Sequence, residues 1–443
     1  MRALTLSLAL TLALGILGSV EARAGVRVEV EEEVYTFTPP NNGSGPLWSA
    51  GCTQIARMGD DVYISEMETG EGVPRLCNTR WRLLRRAADG WECVAQPDGY
   101  RQREPCPLAV LPGGPLFLNV NDSTQPPGTE YGPCEPALIA FPFGGPEAAQ
   151  RRLAPDWGTP PPYYTDHSYR GFAADPARRQ LLMLNIDAKT SVQHACLLSE
   201  DGKTLANASV SFPIRACYPQ AALRDGAAYV FAVGDIVEPV KEWREYKFEQ
   251  TKQSWDYVFR ILYFTWTPGG VSNGFSAPVE IANVDATAGN VRNQDLWISP
   301  SGEALLLYTE QEVASPLLRD RFFPGKSVAS SLKLAVVKDG EVVSRRTLLA
   351  GGPATEAGCA RFHAAPDGSL YAVLYVGGAD AGNKLMQILP ELENPPLLPI
   401  PLKSPMGAFC LAGVRAGNAP SSLVDMHGHT GGNTMAYARI ALR

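Results

Sequence analysis

The chain predicts an all-β fold: a seven-bladed β-propeller of four-stranded antiparallel blades, closed by an N-terminal strand. Three observations lead there. One hairpin pattern recurs along the sequence: a polar lead-in, an apolar strand, a turn carrying Gly, Asp or Pro, and a second apolar strand. No linker-like shift in composition divides the 443 residues, although about 150 residues per domain would suggest two or three. A lone alternating strand also stands ahead of the array, where a propeller needs one to complete its last blade and remove an open sheet edge. A pair of β-sandwiches with similar strand spacing is the alternative.

Taken in order, the chain opens with Arg2, an apolar run from Leu4 to Leu17, and the small-x-small sequence Ala22–Arg23–Ala24. That is the pattern of a secretory signal, so residues 1–24 are set aside and 25–443 are read as one propeller domain of a secreted or periplasmic protein. No later apolar stretch reaches the about 18 residues that a membrane helix needs. Residues 26–38 alternate apolar and charged over their first part and stop at the turn cluster Pro39–Pro40–Asn41–Asn42–Gly43. Seven inner hairpins follow, beginning at Cys52, Pro107, Tyr169, Tyr218, Asp295, Phe362 and Ala408. Weaker outer hairpins begin at Thr79, Ala195 and Leu332, and two hairpins make a four-stranded blade. Residues 238–260 break the rhythm with charged and aromatic side chains. Pro239 can open a helix there, on which Trp243 and Tyr246 would share a face. Residues 315–325 form a smaller insertion of the same kind.

The net charge of −7 argues against a nucleic-acid partner, which calls for a basic patch or stripe. An acidic saccharide would have to be met by locally clustered arginines. Nine cysteines leave at least one free, and none has CxxC spacing. His427–Gly428–His429 offers two nitrogen ligands, too few for a closed zinc site, so neither a metal nor another cofactor is expected. The chain is read as a monomer.

Side chains at the starts of the inner strands should converge around a propeller's central channel. Those positions carry Arg103 and Glu104; His167, Tyr169 and Arg170; Arg215 and Tyr218; Asp295 and Trp297; and Arg361 and His363. His167 and His363, two of only five histidines, can exchange protons near neutral pH, and Tyr218 can join them. Arg170, Arg361 and Arg103 suit a substrate carboxylate, because a guanidinium meets it in a bidentate fork. Tyr169, Asp295 and Trp297 complete the expected binding surface. His194 lies on an outer strand of the His167 unit. The expectation is that His167, Tyr218, Arg361 and His363 face one cleft.

His167 opening an inner strand, His194 after that hairpin, Tyr218–Pro219 ahead of Ala221–Ala222–Leu223, and a degraded Asp-box at Ser199–Thr204 together resemble the BNR-repeat, sialidase-like propellers. Within them, the resemblance is to the branch of seven-bladed, ulvan-type polysaccharide lyases. It implies that His167 and Tyr218 carry proton transfers, with His194 as a second histidine, while an arginine neutralises a uronate. The arginine expected after the Tyr-Pro hairpin is replaced by Gly234–Asp235, which passes that role to Arg170 or Arg361. Cleavage of an acidic polysaccharide by β-elimination is the leading reading. Sialidase-like hydrolysis, using a Tyr nucleophile and carboxylates such as Glu104 or Asp295, and a non-catalytic binding propeller are the alternatives.

Overall fold

The computed structural model describes residues 25–49, 51–129, 132–142 and 150–442, so the signal-peptide reading of 1–24 lies outside the described residues. Seven four-stranded antiparallel sheets are arranged in sequence order. We number them blades 1 to 7, with inner strands Ile55–Met58, Leu108–Val110, Gly171–Asp175, Ala216–Arg224, Asn290–Ile298, Thr355–Ala364 and Ala408–Leu411. Each belongs to one of the hairpins marked in the sequence.

Strand Val26–Thr36 is the outermost strand of blade 7, paired antiparallel with Thr434–Leu442 from Val26↔Leu442 to Thr36↔Thr434. The first and last strands of the described residues thus share one sheet, and the ring has no open end. That closure excludes the sandwich alternative. The core lies between blades. Tyr63 and Leu83 of blade 1 pack on Leu118 and Phe141 of blade 2, and the same arrangement passes round the ring to Ile64 of blade 1 against Tyr437 of blade 7. A strand covered on both faces reads as a continuous apolar run, as in Leu181–Leu182–Met183–Leu184, all fully buried.

The inner strands all start at one face, called the upper face here. The connections between blades, and those between second and third strands, lie on that same side. Both insertions fall there. In blade 4 a short ribbon, Ile236–Val237 with Tyr257–Val258, carries helix α1 (Lys241–Thr251). In blade 5 helix α2 (Pro316–Phe322) starts on a Ser315 cap. Trp243 and Tyr246 do share a face of α1, and both pack against Phe322 of α2. The root of the insertion is held by Arg260, which donates to Glu238 at 3.0 Å with both side chains buried. No helix among the described residues is long and apolar enough to cross a membrane.

Candidate active site

The upper face above blades 3 and 4 carries a cluster of titratable and aromatic side chains. Glu104, from the connection between blades 1 and 2, is buried beneath it. Its Oε1 lies 2.5 Å from His167 Nδ1, and its Oε2 accepts from Ser168 Oγ at 2.9 Å. Burial raises the Glu104 carboxyl, but the hydrogen bond and the charge of His167, the charge of Arg170 and the hydrogen bond from Ser168 outweigh it and leave the group below the usual carboxylate range. A carboxylate at Nδ1 keeps the imidazole proton there. In the neutral ring this leaves Nε2 as the acceptor.

Two strained residues complete the centre. Tyr169 and Tyr218 hold φ of 44° and 51°, in the left-handed region that aromatic residues rarely adopt. At Tyr218 the cause is a β-bulge between Cys217 and Gln220, which turns the side chain out of the strand's normal alternation. Asn293 of blade 5 fastens the bulge by donating to the Tyr218 carbonyl at 2.7 Å. The two phenol rings meet edge to face at 4.8 Å, and the His167 ring lies 4.0 Å from that of Tyr169. Desolvation pushes both phenols above their ordinary pKa, with the Cys217 thiol and Asp235 adding to the effect. Both therefore stay protonated at neutral pH.

Two arginines border the group. Arg215 Nη2 donates to the Tyr169 hydroxyl at 2.8 Å and to Asp235 at 3.1 Å. Asp235, at the position where the sequence seemed to lack an arginine, holds one supplied from the other side of the hairpin. Arg292 is exposed, lies over the Phe259 ring at 5.0 Å, and forms no ion pair among the described residues. Phe259 in turn meets Tyr218 at 5.9 Å.

Trp48 forms the opposite wall, 5.8 Å from the Tyr218 ring and 6.4 Å from that of His167. It belongs to a strap across the upper mouth of the channel. Asn42 anchors the strap by donating to Leu76 O at 3.0 Å and to Asn78 at 2.9 Å, and Arg415 reaches up to Gly51 O at 2.8 Å. The recess enclosed by Trp48, Glu104, Tyr169 and Tyr218 holds only about 10 Å³, so a saccharide would lie across its rim and not inside it.

No model of a known protein family matches this sequence, and no curated protein matches it. Solved structures match along nearly all of it. An ulvan lyase of polysaccharide lyase family PL25 superposes with a TM-score of 0.57 at 12% identity, covering 92% of this chain and 95% of that one. A PL25 ulvan lyase structure bound to -[GlcA(1-4)Rha3S]- gives 0.57 at 10% identity over the same shares. Polysaccharide lyase Uly1 gives 0.50 at 11% identity, covering 94% and 93%. The chain is a seven-bladed propeller with polysaccharide lyases among its structural neighbours. At these identities the likeness is one of fold.

Of the residues singled out in the sequence, the structure brings together Glu104, His167, Tyr169, Arg215 and Tyr218. The others lie elsewhere. Arg170 is buried below the cleft, where its guanidinium donates to Asn119 O and Pro105 O, both at 2.9 Å. Arg103 is held by Asp166 at 2.8 Å and by Asn42 O at 3.0 Å. Neither is free to meet a substrate carboxylate. His194 packs edge-on against Tyr164, 6.4 Å between ring centroids, with its pKa lowered by burial.

The expectation that Arg361 and His363 join the cleft is overturned, because blade 6 begins earlier than its sequence suggests. Its inner strand runs Thr355–Ala364, so His363 sits at the lower end, buried with Nε2 2.7 Å from Ser421 O. Arg361 lines the central channel and donates to Gln294 O at 2.7 Å. Asp295 accepts from Arg415 Nε and from Phe362 N, each at 2.8 Å, as part of a buried lock between blades 5, 6 and 7. Trp297 points to the lower mouth, where it lines a recess of about 590 Å³. His427 is buried against Ala436 O at 2.9 Å, and no group of three metal-ligating side chains occurs among the described residues.

The residues missed were Trp48 and Arg292. Trp48 lies in a turn-rich linker with no strand pattern. Arg292 is the third residue of an inner strand whose start was placed at Asp295.

Proposed function

We propose that this chain is an exported, carbohydrate-active propeller that cleaves a uronate-containing polysaccharide by β-elimination. The observation that carries the reading is the pairing of His167, whose Nδ1 is occupied by Glu104, with the protonated phenol of Tyr218 across a shallow rim bordered by an unpaired Arg292.

Arg292 meets the uronate carboxylate and withdraws charge from it, which acidifies the neighbouring C5–H bond. His167 Nε2 takes that proton. The electron pair forms the C4–C5 double bond as the C4–O4 bond breaks, and Tyr218 donates its proton to the departing oxygen. An imidazole nitrogen and a phenol that keeps its proton thus serve as base and acid at one site. The PL25 neighbour bound to -[GlcA(1-4)Rha3S]- makes a uronate substrate the first to try.

Hydrolysis by a carboxylate pair is disfavoured by the site itself. Glu104 is buried under His167, Asp235 is buried against Arg215, and Asp295 is locked to Arg415. Among the described residues, no two carboxylates flank the rim. The deciding experiment incubates the mature protein with uronate polysaccharides and sialosides. Growth of the ultraviolet absorbance of an unsaturated uronate supports the reading. New reducing ends without that absorbance indicate a hydrolase, and binding with neither product indicates a non-catalytic propeller.

A further inference from the structure

The proposed centre does not end at Arg215. Beyond it lie the exposed Trp255 and the half-buried Tyr257, on the segment that returns from α1 to blade 4. The Arg215 guanidinium lies over the Tyr257 ring at 5.6 Å, and the Tyr257 and Trp255 rings are 4.8 Å apart with planes inclined by 33°. On the near side, Arg215 donates to the Tyr169 hydroxyl at 2.8 Å, Tyr169 meets Tyr218 at 4.8 Å, and Tyr218 meets Trp48 at 5.8 Å. A continuous chain of aromatic and guanidinium contacts therefore runs from Trp48, through Tyr218, the buried Tyr169 and Arg215, to Tyr257 and Trp255.

Nothing in the packing of the fold requires a tryptophan there. Trp255 is 66% exposed, the highest value among the large apolar side chains of the described residues. Helix α1, which leads to it, buries none of its own residues. The segment is nevertheless held in place: Tyr257 pairs with Val237 in the ribbon, Lys247 Nζ donates to the Trp255 carbonyl, and the Arg260–Glu238 pair anchors the base. A large exposed ring on an ordered support, joined by contacts to the proposed centre, presents a face on which a sugar ring can stack. The arginine next to it makes an acidic ligand the suitable one.

We infer that Trp255 and Tyr257 form an outlying sugar-stacking subsite that holds a ring of an acidic polysaccharide several positions away from the bond being cleaved. The inference rests on the function proposed above. It implies that the protein acts within long chains and prefers them to short fragments, because only a polymer spans both the Tyr218 rim and the Trp255 platform.

The test compares wild type, Trp255→Ala and Trp255→Phe on a uronate polymer and on the shortest oligosaccharide that wild type cleaves. For Trp255→Ala, KM on the polymer should rise about tenfold, the effect of one lost stacking contact. Its kcat/KM on the oligosaccharide should stay within about twofold, and Trp255→Phe should recover most of the polymer loss. Equal losses on both substrates, or no loss on either, would overturn the subsite while leaving the proposed function standing. A wild-type protein that neither binds nor cleaves any uronate polysaccharide would instead remove the proposed function, and the subsite with it. Unchanged far-ultraviolet circular dichroism shows that the variants are folded.

Discussion

Replacing Tyr218 with Phe removes one oxygen and leaves the ring against Trp48, Tyr169 and Phe259. Burial and the nearby Asp235 hold the phenol above its ordinary pKa, so wild type carries the proton that β-elimination must deliver to the leaving oxygen. A positioned acid contributes about 10²- to 10⁴-fold, which corresponds to about 2.7–5.4 kcal/mol of barrier. Because the aromatic contacts survive, the loss should fall on kcat, with KM changed less than about threefold. Stability should move by no more than about 0.5 kcal/mol, since no packing is lost. The assay follows unsaturated uronate in the ultraviolet, with thermal melting run alongside. A Tyr218→Phe protein with a normal melting curve and activity within about tenfold of wild type would refute the role of the phenol, and with it the chemistry assigned to the site.

Glu104→Gln keeps the shape of the group beneath His167 but offers an amide donor to Nδ1, which favours the tautomer that cannot act as a base. Turnover should fall by about 10²- to 10⁴-fold, and an unchanged rate would show that His167 is not the base. Arg292→Ala should raise KM for a uronate polymer at least about tenfold, with partial recovery in Arg292→Lys; equal kinetics in all three would free Arg292 of the carboxylate role.

His427, buried and neutral, has its pKa lowered by desolvation from 6.5 to about 4. Between those values the unfolded chain takes up a proton that the folded one resists. Its contribution of about 3 kcal/mol is therefore intact above pH 6.5 and is lost as the pH falls towards 4. Urea titrations at pH 7 and 4.5 should show a smaller difference for His427→Gln than for wild type, and an equal difference would contradict the burial argument. Deleting residues 26–36 should lower the melting temperature and promote aggregation through the uncovered strand Thr434–Leu442. An unaltered melt and a monodisperse product would mean that the closure of blade 7 adds no stability.

The architecture was legible because each blade repeats a local pattern. Apolar runs such as Leu181–Leu184, turns such as Asp225–Gly226 and the alternating strand after residue 25 act over a few residues at a time, and the ring follows from repeating them. The site was only partly legible. His167, Tyr169 and Tyr218 stand at or near strand starts in blades whose observed starts, Gly171 and Ala216, lie within two residues of those the sequence predicts. Arg361, His363, Asp295 and Trp297 were assigned to strand starts but lie towards the lower ends of longer strands. Bulges at Asn293/Asp295 and Ala357/Ala360 lengthen those strands on one side only, and hydrophobic spacing does not register the added residues.

The sequence by itself thus determined the seven blades, the N-terminal closing strand, the insertion of blade 4, and a histidine and tyrosine suited to proton transfer. These depend on local periodicity and residue chemistry, which one stretch of chain carries alone. Only the tertiary structure decided which arginines are free, that Glu104 stands behind His167, and that Trp48 walls the cleft from a linker about 120 residues earlier in the chain than His167. Hydrogen-bond satisfaction decides these points. Arg170 and Arg361 have the same chemistry as Arg292, but their donors are taken by carbonyls of neighbouring blades, and those carbonyls are brought within reach only when the ring closes.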